Sequence, residues 1–444
     1  MSPRRKSYFK EKLSIDDLRE IWSFLSLSEC LEGFKDIDRL EAEEFFLSLE
    51  APDQAKIIQC LPEAERRAWI RLLAPDDAAD VIQQVPTEER QKLIDLLDDL
   101  SRKEVVALLA YAEDQAGGLM NPQFLRLRPD VSVDEAIRYL RRQTQGSVKG
   151  MYYVYVLDAE QHLLGVISFR ELLSAPTDKT VQEIMKTNLI TATENLDQEA
   201  LSRLFTRQGL MAIPVVDEEG HMKGIVTLDD IVHVVREEAT EDIQKIGGSE
   251  ALDAPYLHIG IFKMIQKRAG WLTALFLSEM LTSNTLAHYE AKIASAVVLA
   301  LFIPLIISSG GNSGSQASTL VIRALSLGEL RLRDWWRVFF RELTAGLIMG
   351  GILGTVGLLR IVLWPTRSAI YGPHYFLLAL TIAGSLVGVV LWGTLIGSML
   401  PFVLRRLNLD PASASAPFVA TLVDVSGLII YFNVATLILK GTLL

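Results

Sequence analysis

Residues 417–439 read PFVATLVDVSGLIIYFNVATLIL, an apolar run that carries one ionisable side chain, Asp424, near its middle. A helix of about 20 such residues crosses the hydrocarbon core of a bilayer. An ionised Asp at the centre of that helix costs roughly 2.5–3.5 kcal/mol on insertion scales, so it requires a partner, water or a function. A cation pathway supplies all three.

Outward from this run lie four more, at about 269–288, 294–322, 338–364 and 375–403; with 414–439 they make five candidate crossings. Arg323, Arg331, Arg333, Arg337 and Arg341 crowd the second connection, and Arg405 and Arg406 open the fourth. The first connection has only Lys292, and the third only Arg360 and Arg367. The positive-inside bias therefore puts the second and fourth connections and the large N-terminal region in the cytoplasm, with the C-terminus outside. The start, MSPRRKSYFKEKLS, is basic with no apolar core behind it, so no secretory signal peptide is expected.

Charge divides the chain. Residues 1–266 hold 48 of the 55 acids and 31 of the 44 Lys and Arg, a net of −17, whereas residues 267–444 hold 7 acids and 13 bases, a net of +6. The acidic half repels nucleic-acid phosphates and favours cations as ligands. Cys30 and Cys60 suggest neither a disulfide nor a CxxC metal site, and the six histidines form no HExxH pattern. No nucleophile or acid–base constellation of an enzyme is visible.

The acidic half contains two internal repeats. APDQAKIIQCLPEAERRAWIRLL (51–73) is echoed by APDDAADVIQQVPTEERQKLIDLL (74–97), and each unit reads as two short helices with Pro and acids at the helix starts. Stacked pairs of this kind build a small helical solenoid. Asp76, Asp77 and Asp80 gather at one such start, where acids also suit the helix dipole. A longer repeat aligns VLDAEQHLLGVISFRELL (156–173) with VVDEEGHMKGIVTLDDIV (215–232) without a gap, and 120–136 answers 185–200. Each copy alternates helix, strand, Asp-bearing turn, strand and closing helix.

The endings Gly165–Leu172 and Gly224–Ile231 resemble those of a tandem pair of CBS domains. That resemblance implies an adenine-nucleotide (ATP) site, with Thr227 and Asp229 holding the ribose. The first copy has Ser168 and then Arg170, so a symmetric second site is not expected. The alternative is a purely structural, dimerising pair.

In the membrane half, GGNSGSQ (Gly310–Gln316) replaces bulky residues with small ones, which serves close helix packing or loosens the helix to expose carbonyls. Together with Pro411, Pro417 and the ATLVDVSG stretch Ala420–Gly427, and behind a CBS pair, it resembles the MgtE family of magnesium channels and transporters. The resemblance implies a multidomain membrane protein of the prokaryotic-type plasma (inner) membrane. Its parts are a solenoid-like α-helical N domain (1–117), an α/β tandem CBS pair (118–243), a connecting plug helix (244–266) and an all-α transmembrane domain of five helices (267–444). It implies a homodimer, set in lipid, whose pore is lined by the second and fifth crossings, here Gly311, Asn312, Ala420 and Asp424, with Asp424 facing hydrated Mg²⁺. Mg²⁺ prefers hard oxygen ligands and gives up its water reluctantly, which suits carboxylates and carbonyls.

The resemblance further implies that cytoplasmic Mg²⁺ closes the pore by bridging acids. The corresponding positions are Asp76 and Asp80 in the N domain, Asp217, Glu219 and Asp229 in the CBS pair, Glu250 and Asp253 near the plug, and Asp410 before the last crossing. Residues 254–278 contain no acid, so the plug segment is expected to be acid-poor. Glu342 follows Arg341 at a cytoplasmic end and suits an interfacial ion pair, whereas Glu279 lies deeper and is an accessory-site candidate. The competing readings are transport of another divalent cation, such as Co²⁺, Mn²⁺ or Ca²⁺, and a non-conducting membrane sensor of nucleotide or Mg²⁺.

Overall fold

The computed structural model describes residues 14–22, 25–143, 152–252, 256–257 and 259–443. The chain divides into two compact units, Met1–Val235 and Arg236–Leu444. Each is considered by itself.

Unit 1 begins with short helices: α1 (Ile15–Ile21), α2 (Leu27–Asp36), α3 (Arg39–Leu47), α4 (Ala51–Cys60), α5 (Glu63–Ile70), α6 (Pro75–Gln83), α7 (Thr87–Ile94) and α8 (Asp99–Leu108). The duplicated sequence 51–97 is therefore two helix pairs, α4–α5 and α6–α7. Pro52 and Pro75 lie in the first turns, where a missing N–H costs nothing. Arg66 and Arg90, equivalent in the two copies, each reach back to two carbonyls at the end of the preceding helix (Gln59 and Leu61; Gln83 and Val85) and satisfy its orphan acceptors. Phe34, Phe46 and Trp69 pack ring against ring in the core, with centroids 5.0–6.4 Å apart.

The CBS pair follows with α9 (Ala116–Leu119), α10 (Val133–Gln143), α11 (Phe169–Ser174), α12 (Val181–Ile184), α13 (Gln198–Gln208) and α14 (Leu228–Ile246) around two three-stranded sheets. In the first sheet β1 (Arg126–Leu127) runs parallel to β2 (Tyr153–Leu157), which is antiparallel to β3 (Leu163–Ser168). The second sheet repeats this with β4 (Ala192–Thr193), β5 (Ala212–Val216) and β6 (Met222–Thr227). The segment entering each copy pairs with the other copy, Asn121 with Ile225 and Lys186 with Val166. These are equivalent positions in the alignment, so the pair has an internal two-fold pattern. The two Asp-bearing turns meet where the His162 and His221 rings stack at 4.2 Å.

Unit 2 holds α15 (Ile261–His288), α16 (Glu290–Ser295), α17 (Ile303–Ser326), α18 (Trp335–Val362), α19 (Arg367–Tyr371), α20 (Tyr375–Arg406) and α21 (Ala416–Leu439). Among the described residues four stretches are long and apolar enough to cross a membrane: Val297–Ser326, Leu332–Val362, Tyr375–Arg406 and Ala416–Leu439. The expected first crossing, 269–288, is helical within α15 but is not one of these four. Thr273, Ser278, Glu279, Thr282, Ser283, Asn284 and Thr285 dilute its hydropathy.

Helix α17 runs unbroken through Gly310 and Gly311, so these glycines serve close approach and not a break in the helix. A Cβ on Gly393 or Gly397 of α20 would overlap the carbonyl oxygen of Gly310 or Gly314 on α17. Gly346, Gly350 and Gly354 do the same for α18 against α20, which is the small-residue packing expected of helices in lipid. Polar clasps reinforce it: Ser313 bonds Thr394 at 2.6 Å, and Ser318 Oγ donates to the Ala414 carbonyl at 2.8 Å.

The connecting helix lies elsewhere than expected. Residues 244–246 end α14, a turn closes at Gly248, and residues 261–266 begin α15, so the described residues of 244–266 form no separate helix. The helix that joins the units is α14 itself. Beyond Asp230 it carries Glu237, Glu238, Glu241 and Asp242, whereas 254–278 holds no acid, as the sequence reads.

Candidate functional site

Asp424 lies midway along α21, partly covered, with no hydrogen-bond or ion-pair partner among the described residues. What opposes it is backbone. Gly311 of α17 is buried there, and a Cβ on it would stand 3.3 Å from Ala420 Cβ and 3.7 Å from Asp424 Oδ1. Gly311, Ala420 and Asp424 are thus brought together, as the small-residue motif predicts. Asn312, one residue on, is exposed and its Nδ2 donates to Ser308 Oγ at 3.3 Å. The start of α21 is anchored by Ser415, which caps the helix through the Phe418 N–H and accepts from Trp271 Nε1 at 3.2 Å.

Asp410, before α21, is already engaged. Its Oδ1 accepts the Ala412 N–H at 2.8 Å and its Oδ2 accepts from Lys245 Nζ at 2.7 Å. Lys245 also pairs with Glu241, one turn back on α14. Burial works against the Lys245 charge, but the hydrogen bonds it donates to Asp410 and Glu241 outweigh it and hold the ammonium above the usual lysine range. Burial pushes the neighbouring Asp242 carboxyl up, opposed by a hydrogen bond from Ser326 at the end of α17. Lys245 gives no signal in the sequence. Only the fold brings it across to Asp410. Glu250 is exposed and, with Glu241, Lys245, Lys267 and Trp271, lines a cavity of about 480 Å³; Asp253 lies outside the described residues.

Unit 1 gathers a second set of acids. Asp76 is buried and its Oδ1 accepts from Asn121 Nδ2 at 3.1 Å. Asp80, one turn on, has its carboxyl pushed well above the usual range by burial and then by the charges of Asp76, Asp77, Asp230 and Glu113. Burial also raises Asp230, to about 6, against the pull of its hydrogen bond from Thr227, with Asp229 and Asp77 adding to the rise. Asp76 and Asp80 thus belong to one acidic nest, as expected. Asp230 joins them, and the exposed Asp229 stands beside it. Asp77 belongs to the same helix start, whereas Asp230 and Glu113 give no such signal in the sequence beyond the DD pair at 229–230.

The nucleotide candidates separate. Thr227 is buried and its hydroxyl donates to Asp230 at 2.7 Å as a helix cap, the role Glu171 has toward Ser168 in the first copy. Asp217 is saturated: it accepts the N–H groups of Glu219 and His221, the His221 ring at 3.0 Å and the Lys223 ammonium at 2.9 Å. Burial opposes its charge, but these donors pull its carboxyl far below the ordinary range. Asp217, Glu219 and His221 converge within 4.8 Å, as do their equivalents Asp158, Glu160 and His162. Each Asp serves first to close its own turn.

An unpaired carboxylate in a small-residue seam between apolar helices, joined to a CBS pair and an acidic helical domain, defines a membrane transporter of the cation class with cytosolic regulatory domains. The comparisons with known proteins agree. The family model described as a divalent cation transporter, MgtE, matches residues 303–434, that of the MgtE intracellular N domain matches 13–114, and that of the CBS domain matches 116–178 and 181–237. The magnesium transporter MgtE of Thermus thermophilus is 42% identical over 347 residues, 78% of this chain and 75% of that protein. That of Enterococcus faecalis is 31% identical over 337 residues, 76% of this chain and 72% of that protein. A crystal structure of the cytosolic domain of the Mg²⁺ channel MgtE in complex with ATP is similar at 36% identity and a TM-score of 0.47, covering 50% of this chain and 90% of that one. This chain belongs to the MgtE family.

Proposed function

We propose that the protein carries Mg²⁺ into the cell as a homodimer, through a path that passes Asp424, and that cytoplasmic Mg²⁺ closes the path. The observation that carries this reading is the carboxylate itself: Asp424 is unpaired at membrane depth, opposite the buried Gly311 and beside Ala420. A static membrane core would neutralise or omit such a group. A divalent cation that keeps its water shell is stabilised by it without direct dehydration, and weak outer-shell binding permits exit. The positive-inside arginines support a cytoplasmic N-terminal unit, and with α15 counted as a fifth crossing the C-terminus lies outside in this reading.

For regulation, Mg²⁺ binds the nest of Asp76, Asp77, Asp80 and Asp230, where mutual repulsion of acids leaves a cation the most to gain. Glu219, Asp229 and Glu250 are exposed acids that serve as further cation ligands. An adenine nucleotide at the CBS pair is the second proposed effector, with Asp229 free of the capping role that engages Thr227.

The test is Mg²⁺ flux into liposomes carrying the full chain, at several cytoplasmic-side Mg²⁺ concentrations, with Co²⁺ and Mn²⁺ as competitors. Asp424→Asn and Asp424→Ala are expected to abolish most flux. Wild-type flux in both variants refutes the path through Asp424. Flux indifferent to cytoplasmic Mg²⁺ in the wild type refutes the closing role separately.

A further inference from the structure

Glu279 is a second carboxylate at membrane depth, and the contacts of α15 with α21 fix its height. Near the start of both helices the Trp271 ring lies 5.9 Å from the Phe418 ring and Trp271 Nε1 bonds Ser415. Near the far end Tyr289 stacks on Phe432 at 4.5 Å and 15°. The partners differ by nearly the same residue number at both ends, so the helices run side by side in the same direction.

At about 1.5 Å per residue, Glu279 stands about 12 Å beyond Trp271, and Asp424 about 9 Å beyond Phe418. Counted from the other end, they stand about 15 Å before Tyr289 and about 12 Å before Phe432. Both counts put the two carboxylates within one helical turn of the same level. Around the helix, Trp271, Leu275, Ser278, Thr282 and Leu286 recur at i, i+3 and i+4 as the covered stripe of α15, with Glu279 exposed at its edge. Glu279 has no hydrogen-bond or ion-pair partner among the described residues. Toward lipid such a group is costly, and beside a second carboxylate it is repelled. A cation between them removes both penalties.

We propose that Glu279 is a specificity-determining residue of the ion path, holding a hydrated divalent cation jointly with Asp424 and favouring it over monovalent ions. This rests on the reading of Asp424 as a path carboxylate. Loss of one charge felt across a water layer by a divalent ion changes its local occupancy by roughly tenfold, and that of a monovalent ion by roughly threefold.

The experiment compares Glu279→Gln, Glu279→Asp and Asp424→Asn in the full chain reconstituted in liposomes, reading Mg²⁺ influx against external Mg²⁺ and, in parallel, Na⁺ influx with and without Mg²⁺. The expected result for Glu279→Gln is a roughly tenfold rise in the Mg²⁺ concentration giving half-maximal influx and a lower Mg²⁺-to-Na⁺ ratio, both largely restored in Glu279→Asp. A merely structural role lowers both fluxes together and leaves the ratio unchanged, which overturns the inference. Wild-type concentration dependence and ratio in Glu279→Gln, with Asp424→Asn inactive, overturns it while sparing the path. Wild-type flux in Asp424→Asn overturns the path, and this inference with it.

Discussion

Asp230→Asn removes the cost of a partly buried charge, and with it the repulsion from Asp229 and Asp77, within the acidic nest of unit 1. The Asp230 carboxyl stands at about 6 against an ordinary 3.8. A carboxyl raised in the folded state favours folding fully below pH 3.8, and that contribution is lost as pH rises through about 6. The rise from 3.8 to about 6 corresponds to a ceiling of about 3 kcal/mol. Because the side chain is only partly covered, about 1–2 kcal/mol is the working figure. Asparagine keeps an acceptor oxygen for the Thr227 hydroxyl, so the cap at the start of α14 survives the change. At pH 8 without Mg²⁺, amides of α6 and of the first turn of α14 should exchange hydrogen about five- to thirtyfold more slowly in Asp230→Asn than in wild type. The two should converge near pH 4. Mg²⁺ at ten times its dissociation constant adds about 1.4 kcal/mol of local stability to the wild type and less to the variant. Hydrogen exchange of the full chain in detergent, followed by mass spectrometry, reads all three quantities. Equal protection of both proteins from pH 4 to 8, with or without Mg²⁺, refutes the reasoning. Weaker protection of the variant at pH 8 means that the cap outweighs the repulsion.

Two further changes probe unit 2. Lys245→Gln removes the ammonium shared by Glu241 and Asp410; as both partners are about one-third exposed, the cost is about 0.5–1 kcal/mol. The cytoplasmic Mg²⁺ concentration that halves flux should rise two- to fivefold, with Lys245→Arg close to wild type; an unchanged midpoint would show that this joint takes no part in closure. Gly397→Val places a branched side chain where the Gly314 carbonyl already lies, and overpacking of this kind costs about 1–3 kcal/mol or more. Thermal unfolding in detergent should drop by several degrees, whereas Gly351→Ala, with open space around its Cα, should not change it.

Periodic features were legible in the sequence because each rests on local chemistry. The 51–97 duplication predicted two helix pairs, and the 156–232 duplication predicted two copies of strand, turn, strand and helix, down to the Asp that closes each turn. Asp424 and Gly311 were legible for the same reason, one by its cost in lipid and the other by its smallness. What escaped depended on contacts between distant residues. Nothing local distinguishes Asp229 from Asp230, yet one is exposed and the other turns toward Asp77 and Asp80 once α14 starts at Leu228. The CBS pair read from the sequence ends near position 243, which is why a connecting helix is expected only after it. In the structure the closing helix of the second copy continues for several turns beyond the repeat, so the acids of 237–242 are the ones that reach the joint.

The two acidic clusters are neutralised differently, and the difference bears on what can sense a cation. At the end of α14 the acids Glu241 and Asp410 share the ammonium of Lys245, a counter-ion attached to the chain, present at any ionic composition. Around Asp80 the charges that act most strongly, those of Asp76, Asp77, Asp230 and Glu113, are all negative, so a cation from solution gains most there. A bound cation shifts an equilibrium only by its differential occupancy, and a tenfold change in concentration around the dissociation constant is worth at most about 1.4 kcal/mol per site. That is the same size as the whole cost of the Asp230 charge, of which burial is the largest part and repulsion a smaller one. A nest whose internal repulsion were much larger would hold its cation at every physiological concentration, and one much smaller would never respond. In the function proposed above, sensitivity to free Mg²⁺ is assigned to the nest of unit 1, whereas the Lys245 bridge keeps Glu241 and Asp410 of unit 2 neutralised at any Mg²⁺ concentration.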